Sequence, residues 1–192
     1  MRKPCRGSPR AILALCAILF TGSCATLQGQ DPAGEKPIAP AAAGAPRAPD
    51  LSVDSAAVIA KRFSEGASTG AAVLRTALEM MEKKTLVVGA CWDFVNRAFT
   101  DAGFPASKRE TVFKGTGKGP YADPTLIKPG DWLYFVNLTF GNVGHSAIFV
   151  EWIDFDARSA ITIEYIGQKK EMPGRFREYD ITKCYAIFRG KK

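Results

Sequence analysis

The order of hydrophobic periods along the chain predicts an α+β domain, with N-terminal helices packed on an antiparallel β-sheet. Three observations carry this. Apolar residues recur at helical spacing as far as Gly103, the spacing becomes extended beyond it, and the extended runs are separated by turn-rich segments rather than by helices. Helices first and strands after them is the segregated order of such folds, with the helices on one side of the sheet.

The chain begins with an export signal rather than with this domain. Arg2, Lys3, Arg6 and Arg10 precede an unbroken apolar run from Ala11 to Phe20, the basic and hydrophobic regions of a secretory signal peptide spanning residues 1–23. Ten apolar residues are too few for a stable bilayer-spanning helix. Phe20-Thr21-Gly22-Ser23-Cys24 closes the leader with small residues before a cysteine and resembles a bacterial lipobox, which implies cleavage before Cys24 and lipidation of its sulfur. An ordinary cleaved signal is the alternative. Residues 24–50 follow as a flexible tether, since sixteen of the twenty-six residues after Cys24 are Ala, Pro or Gly and offer almost nothing to bury.

The folded domain is expected over residues 51–192. Ser52 or Asp54 can cap a first helix with the stripe Ala56, Ile59, Ala60 and Phe63. After a break from Gly66 to Gly70, a second helix runs to about Lys84 with Val73, Ala77, Leu78 and Met81 inward. The third begins at Cys91, with Phe94, Val95, Ala98, Phe99 and Ala102 on the same face, and Gly103 ends it. A polar loop is expected from Ala106 to Pro120, followed by strands Trp132 to Asn137, His145 to Ile153, Ala160 to Ile166, Arg175 to Ile181 and Cys184 to Arg189.

Composition narrows the chemistry. The single histidine, His145, excludes any mechanism or metal site that needs two imidazoles. Five cysteines at wide, irregular spacing exclude a CxxC zinc module and a dense disulfide framework. No cofactor is called for by any motif. The net charge of +7 suggests a nucleic-acid partner until it is located: four of those charges lie in the leader, and the chain from Cys24 onward carries only +3. The segment from Tyr165 onward holds eight basic and three acidic residues, which reads as a solvated face rather than a nucleic-acid site, with an affinity for anionic wall polymer or lipid headgroups as the other reading.

Two residues then stand out. Cys91 opens a helix with no Ser, Thr, Asp or Asn before it, so the first amides are free to stabilise a thiolate and later an oxyanion. Its place on the apolar stripe fits a core cysteine equally well. His145 follows Gly141-Asn142-Val143-Gly144 and opens a strand, sharing one face with Ala147 and Phe149 while Ser146, Ile148, Val150 and Trp152 share the other. That position suits a general base, although a lone histidine is as readily structural.

The stretches GACWDFVNRAFTDAGFP, IKPGDWLYFVN and GNVGHSAIFVEW resemble, in order and spacing, the NlpC family of cell-wall cysteine peptidases. The match covers about Leu86 to Gly167 and is closest at Lys128-Pro129-Gly130-Asp131 and Gly144-His145. Where the family has Asp before the nucleophile and Ser-Gly after it, this chain has Ala90 and Trp92-Asp93, and no tyrosine precedes Tyr121. The resemblance implies a papain-like fold, Cys91 as nucleophile, His145 as base, and a third residue on the following strand that orients the imidazole, by position Glu164. Alternation of Glu164 and Thr162 with Ile161, Ile163 and Tyr165 would also place Glu164 simply in water.

The expected function is therefore an extracytoplasmic, membrane-anchored cysteine peptidase or amidase acting on peptidoglycan or another peptide or amide substrate. A non-catalytic lipoprotein domain that binds wall or a protein partner is the alternative, favoured by a Cys91–Cys184 disulfide or by separation of Cys91 from His145. Acyl transfer from the same thioester is a third reading.

Overall fold

The computed structural model describes residues 53–192. The signal peptide, Cys24, the tether and the Ser52 cap lie outside the described residues, as does the side chain of Asp54.

Three helices come first: α1 (Val53–Ser64), α2 (Thr69–Glu82) and α3 (Cys91–Asp101). Ala56 and Ala60 of α1 are buried, with Ile59 and Phe63 packed beside them. Ser68 starts α2, its hydroxyl accepting from the Ala71 N–H at 3.0 Å. Helix α2 buries Val73 and Ala77 as expected, together with Leu74 and Met80, while Leu78 and Met81 lie at the margin of the core. Helix α3 buries Phe94, Val95, Ala98 and Phe99 and stops at Ala102 before Gly103, as its stripe predicts.

Six strands follow: β1 (Arg109–Lys114), β2 (Trp132–Asn137), β3 (Val143–Asp154), β4 (Ser159–Glu164), β5 (Arg175–Asp180) and β6 (Cys184–Gly190). They form one sheet in the order β1-β6-β2-β3-β4-β5, and every neighbouring pair is antiparallel. The architecture is α+β, with the N-terminal helices packed against this sheet.

Three features correct or go beyond the sequence reading. Residues 109–114 are not loop but the edge strand β1, paired with β6. Thr111, Val112 and Phe113 are good strand formers, but the flanking charges and an irregular half-buried pattern conceal them. Arg109 is also anchored, donating to Phe104 O at 2.7 Å and Asn96 Oδ1 at 2.8 Å, and no residue of β1 is among those lining the cavity described below. Second, the sheet is apolar on both faces. One face carries Trp132, Ile148, Val150, Ile161, Ile163 and Tyr165 against the helices. The other carries Leu133, Phe135, Ala147, Phe149, Ala160 and Ile187, with Ile127 and Ala122 of the β1–β2 connection packed on it. Third, a bulge between Phe149 and Glu151 reverses the alternation of β3, so Trp152 lies beside Phe149, ring centroids 5.1 Å apart, and not beside Val150.

The Lys128-Pro129-Gly130-Asp131 turn is a clamp between layers. Asp131, 1% exposed, accepts from the Lys128 N–H at 2.8 Å and from both Nε and Nη2 of Arg189 on β6, at 2.7 and 2.6 Å. Gly130 adopts φ +88° and meets Gly70 of α2 so closely that a Cβ there would lie 2.3 Å from the Gly70 Cα. The turn thereby seats the start of α2 against the entry to β2.

Candidate active site

Cys91 is the first residue of α3, and the segment before it is held from several directions. The buried Tyr165 hydroxyl, just past β4, donates to Val87 O at 2.8 Å and accepts from the Val87 N–H at 3.1 Å. Gln168 N–H donates to Gly89 O at 3.0 Å. Gly89 itself has φ +118°, and a Cβ on it would lie 2.0 Å from Asp93 Oδ2. Tyr165 also stacks on Phe94, centroids 5.1 Å apart, which packs the end of β4 against the start of α3.

Ala90, the residue before the helix, has no side-chain oxygen to offer, as expected, but Asp93 reaches back and accepts from the Ala90 N–H at 2.8 Å. That removes one of the donors that the uncapped helix start promised. The N–H groups of Cys91 and Trp92, at the first two helical positions, have no acceptor within the helix and remain available.

His145 stands on β3 opposite Phe135 of β2. Its ring is edge-on to Phe135 at 5.5 Å and packs against Tyr179 at 5.2 Å, leaving its side chain 11% exposed. Nε2 lies 3.3 Å from Glu164 Oε2, an ion-pair separation with the N–H off the line of a full hydrogen bond. Nε2 is turned to the carboxylate, and the imidazole and the Cys91 thiol each favour the other's charged form.

Glu164, the last residue of β4, does not face water: it is fully buried. Its register partner on β5 is Arg175, which reaches Oε1 through Nε at 2.8 Å and Nη2 at 2.7 Å. Tyr179 donates to Oε2 at 2.5 Å. Arg175 and Tyr179 were not singled out from the sequence, and only their shared parity on a strand two away from His145 hinted at them. A carboxylate with this many donors stays ionised: burial opposes its charge, but His145, Tyr179 and Arg175 together hold Glu164 down at about 2.

The same balance polarises the thiol and the imidazole. Burial works against charge on both. Against it, His145 and the backbone and hydroxyl of Ser146 bring Cys91 down from 9.0 to about 7. Cys91 and Glu164 push His145 up from 6.5 to about 9. The two shifts run in the directions that favour a thiolate beside an imidazolium. Ser146, 2% exposed, has no hydrogen-bond partner for its hydroxyl among the described residues, and it favours the charged form of the neighbouring Cys91 thiol.

Cys91, His145 and Glu164 line one cavity of about 530 Å³, with Ala90, Asn137, Phe140, Val143, Tyr165, Ile166, Lys170, Arg175, Arg177 and Tyr179 among its walls. On the other flank of the thiol stand Tyr134 and Tyr185, whose phenols are pushed up by burial and by the sulfur's charge. The structure thus brings together all three residues read from the sequence. Cys91 and Cys184 are both free thiols. Cys184 lies in the second core, 1% exposed, and burial pushes its thiol up to about 12. Among the described residues no three His, Cys, Asp or Glu side chains converge as a metal site. No protein-family model, curated protein or solved structure matches the chain.

Proposed function

We propose that this chain is an extracytoplasmic thiol hydrolase of NlpC type on a papain-like scaffold, cleaving amide bonds in peptidoglycan peptide stems from a lipid anchor at Cys24. The observation that carries the reading is the polarised trio: a thiol at about 7 beside an imidazole at about 9 that is backed by a buried, fully ionised carboxylate. Neither a core cysteine nor a surface histidine requires such an arrangement, whereas nucleophilic catalysis does.

The chemistry follows from the positions. The Cys91 thiolate attacks the amide carbonyl, and the carbonyl π electrons pass to oxygen, where the Cys91 and Trp92 amides receive the oxyanion. Protonated His145 transfers its proton to the departing amine as the C–N bond breaks, leaving a thioester on Cys91. Neutral His145 then takes a proton from water as its oxygen attacks the thioester; the C–S bond breaks, the carboxylic acid leaves, and the thiolate–imidazolium pair is restored. Glu164, fixed by Arg175 and Tyr179, keeps the ring oriented and favours its charged form in both steps.

The reading is tested by digesting purified wall material and identifying released peptides by mass. Wild type should release new peptide termini and Cys91→Ala none; identical products from the two refute it. The anchor is tested separately: Cys24→Ala should move the protein from the membrane fraction to the soluble one.

A further inference from the structure

The rim of the Cys91 cavity gathers apolar residues that the fold leaves in water. Val88 and Phe140 are the most exposed large apolar residues described, at 77% and 72%. Val143 and Ile166 stand exposed with Phe140 on the cavity wall, and Trp92 stands exposed next to Cys91. Gln168 N–H donates to Gly89 O at 3.0 Å, which joins the bend carrying Val88 to the stretch that follows Ile166. Single exposed apolar residues are ordinary, but several around one opening mark a surface that meets a partner. Lys169, Lys170 and Arg177 belong to the same side of the cavity. All three are exposed, and none forms an ion pair among the described residues. Against them stands the exposed Glu171, while Glu178 accepts from Ser159 Oγ at 2.6 Å. The rim is therefore apolar and net basic.

We infer that this rim is a docking surface for an anionic lipid bilayer, with Val88, Trp92, Phe140 and Val143 entering the headgroup layer and Lys169, Lys170 and Arg177 meeting lipid phosphates. The mixture of side chains favours lipid over a protein partner. Lysine is depleted from the centre of protein interfaces, whereas at a bilayer an ammonium keeps its water and still gains from the negative surface while its apolar neighbours insert. The apolar groups also project from separate places rather than from one flat face: Phe140 from the β2–β3 turn, Val88 from the bend before α3, Ile166 from just past β4. Such tips fit a soft headgroup layer. The tether expected from the sequence gives the reach: about 28 residues separate Cys24 from Val53, and a chain of that length spans roughly 30 Å when unstructured. Docked in this way, the Cys91 cavity opens onto lipid headgroups. The surface goes beyond the hydrolase reading and depends on no catalytic step.

The test asks which face of the full chain rests on vesicles. Cys91 is alkylated with a neutral polyethylene-glycol maleimide, too large to enter a bilayer, and the reaction is followed by mass spectrometry of the Cys91 peptide. Vesicles of phosphatidylcholine with about one quarter phosphatidylglycerol should slow it at least about fivefold, and phosphatidylcholine alone should slow it less. In Lys169→Gln/Lys170→Gln, the lipid concentration that gives half of this protection should rise about fivefold per charge removed. Phe140→Ser/Val143→Ser should restore most of the alkylation rate, and both positions are exposed, so the core is untouched. Phe140→Trp adds a reporter whose emission should be quenched by lipids brominated on their acyl chains. A chain that sediments with anionic vesicles, yet keeps its free alkylation rate and an unquenched Phe140→Trp emission, is held by its N-terminal segment alone and overturns the inference; so does a chain that does not sediment. Protection by soluble polyphosphate but not by vesicles also overturns it and assigns the rim to a wall-type polyanion. Wall digestion is read separately: docking without cleavage refutes the hydrolase and leaves the surface standing, and cleavage without docking does the reverse.

Discussion

Replacing His145 by Ala isolates the polarisation on which the site depends. In the native protein Cys91 titrates at about 7, so at pH 6 about one tenth of it is thiolate. His145 is the main opponent of burial, and without it the thiol returns at least to its ordinary 9.0, where about one thousandth is ionised at pH 6. The reactive fraction thus drops about 100-fold. The less acidic thiolate is intrinsically the better nucleophile, which recovers a factor of about 6 to 10. The net expectation is a Cys91 that reacts about tenfold more slowly with an aromatic disulfide probe at pH 6, and whose rate continues to climb past pH 8 where the native rate has levelled. Mass spectrometry of the Cys91 peptide separates its reaction from those of the other cysteines. Equal rates at pH 6, or a midpoint that stays near 7, would refute the reasoning.

Further expectations concern the groups behind the pair. Because His145 is the only histidine, its ring protons give a single titrating NMR signal, which should have its midpoint at about 9 and move down toward 6.5 in Glu164→Gln. Glu164 is held at about 2 from 4.5, so its ionisation stabilises the fold above about pH 4.5 and that contribution is lost as pH falls toward 2. Urea midpoints measured from pH 5 to 2.5 should fall more steeply for wild type than for Glu164→Gln. Asp131→Ala leaves the Arg189 guanidinium, 19% exposed, without its carboxylate and should cost about 3–5 kcal/mol in urea unfolding, with Asp131→Asn/Arg189→Leu recovering part of it. Gly89→Ala forces a side chain into φ +118° against Asp93, and should cost about 1–3 kcal/mol while slowing thiol modification at Cys91.

What could be read from the sequence is what repeats locally. The stripe Phe94, Val95, Ala98, Phe99 defines α3 and so places Cys91 at a helix start, because burial at 3.6-residue spacing is a property of neighbours along the chain. The alternation around His145 likewise holds as far as Phe149. It fails at Trp152, because a bulge is set by how β3 meets β4 and leaves no trace in either strand alone. The edge strand β1 was missed for a related reason: pairing with β6 supplies what its own mixed pattern does not.

The candidates follow from counting alone: with one imidazole in the whole chain and one cysteine at a helix start, any Cys–His chemistry in the folded domain has to use this base. Whether Glu164 pointed to water or to His145 was decided only by the tertiary structure. An alternating polar residue is compatible with either face until the opposite face is seen to be a second core, closed by Tyr179, Phe135 and the β1–β2 connection. There, a carboxylate survives burial only because β5 brings Arg175 and Tyr179 to it across the register. The same strand adds Arg177, exposed as a solvated basic run predicts and also part of one wall of the cavity beside Cys91. Charge on a residue is a property of sequence, whereas its effect depends on what the fold leaves within a few ångströms of it.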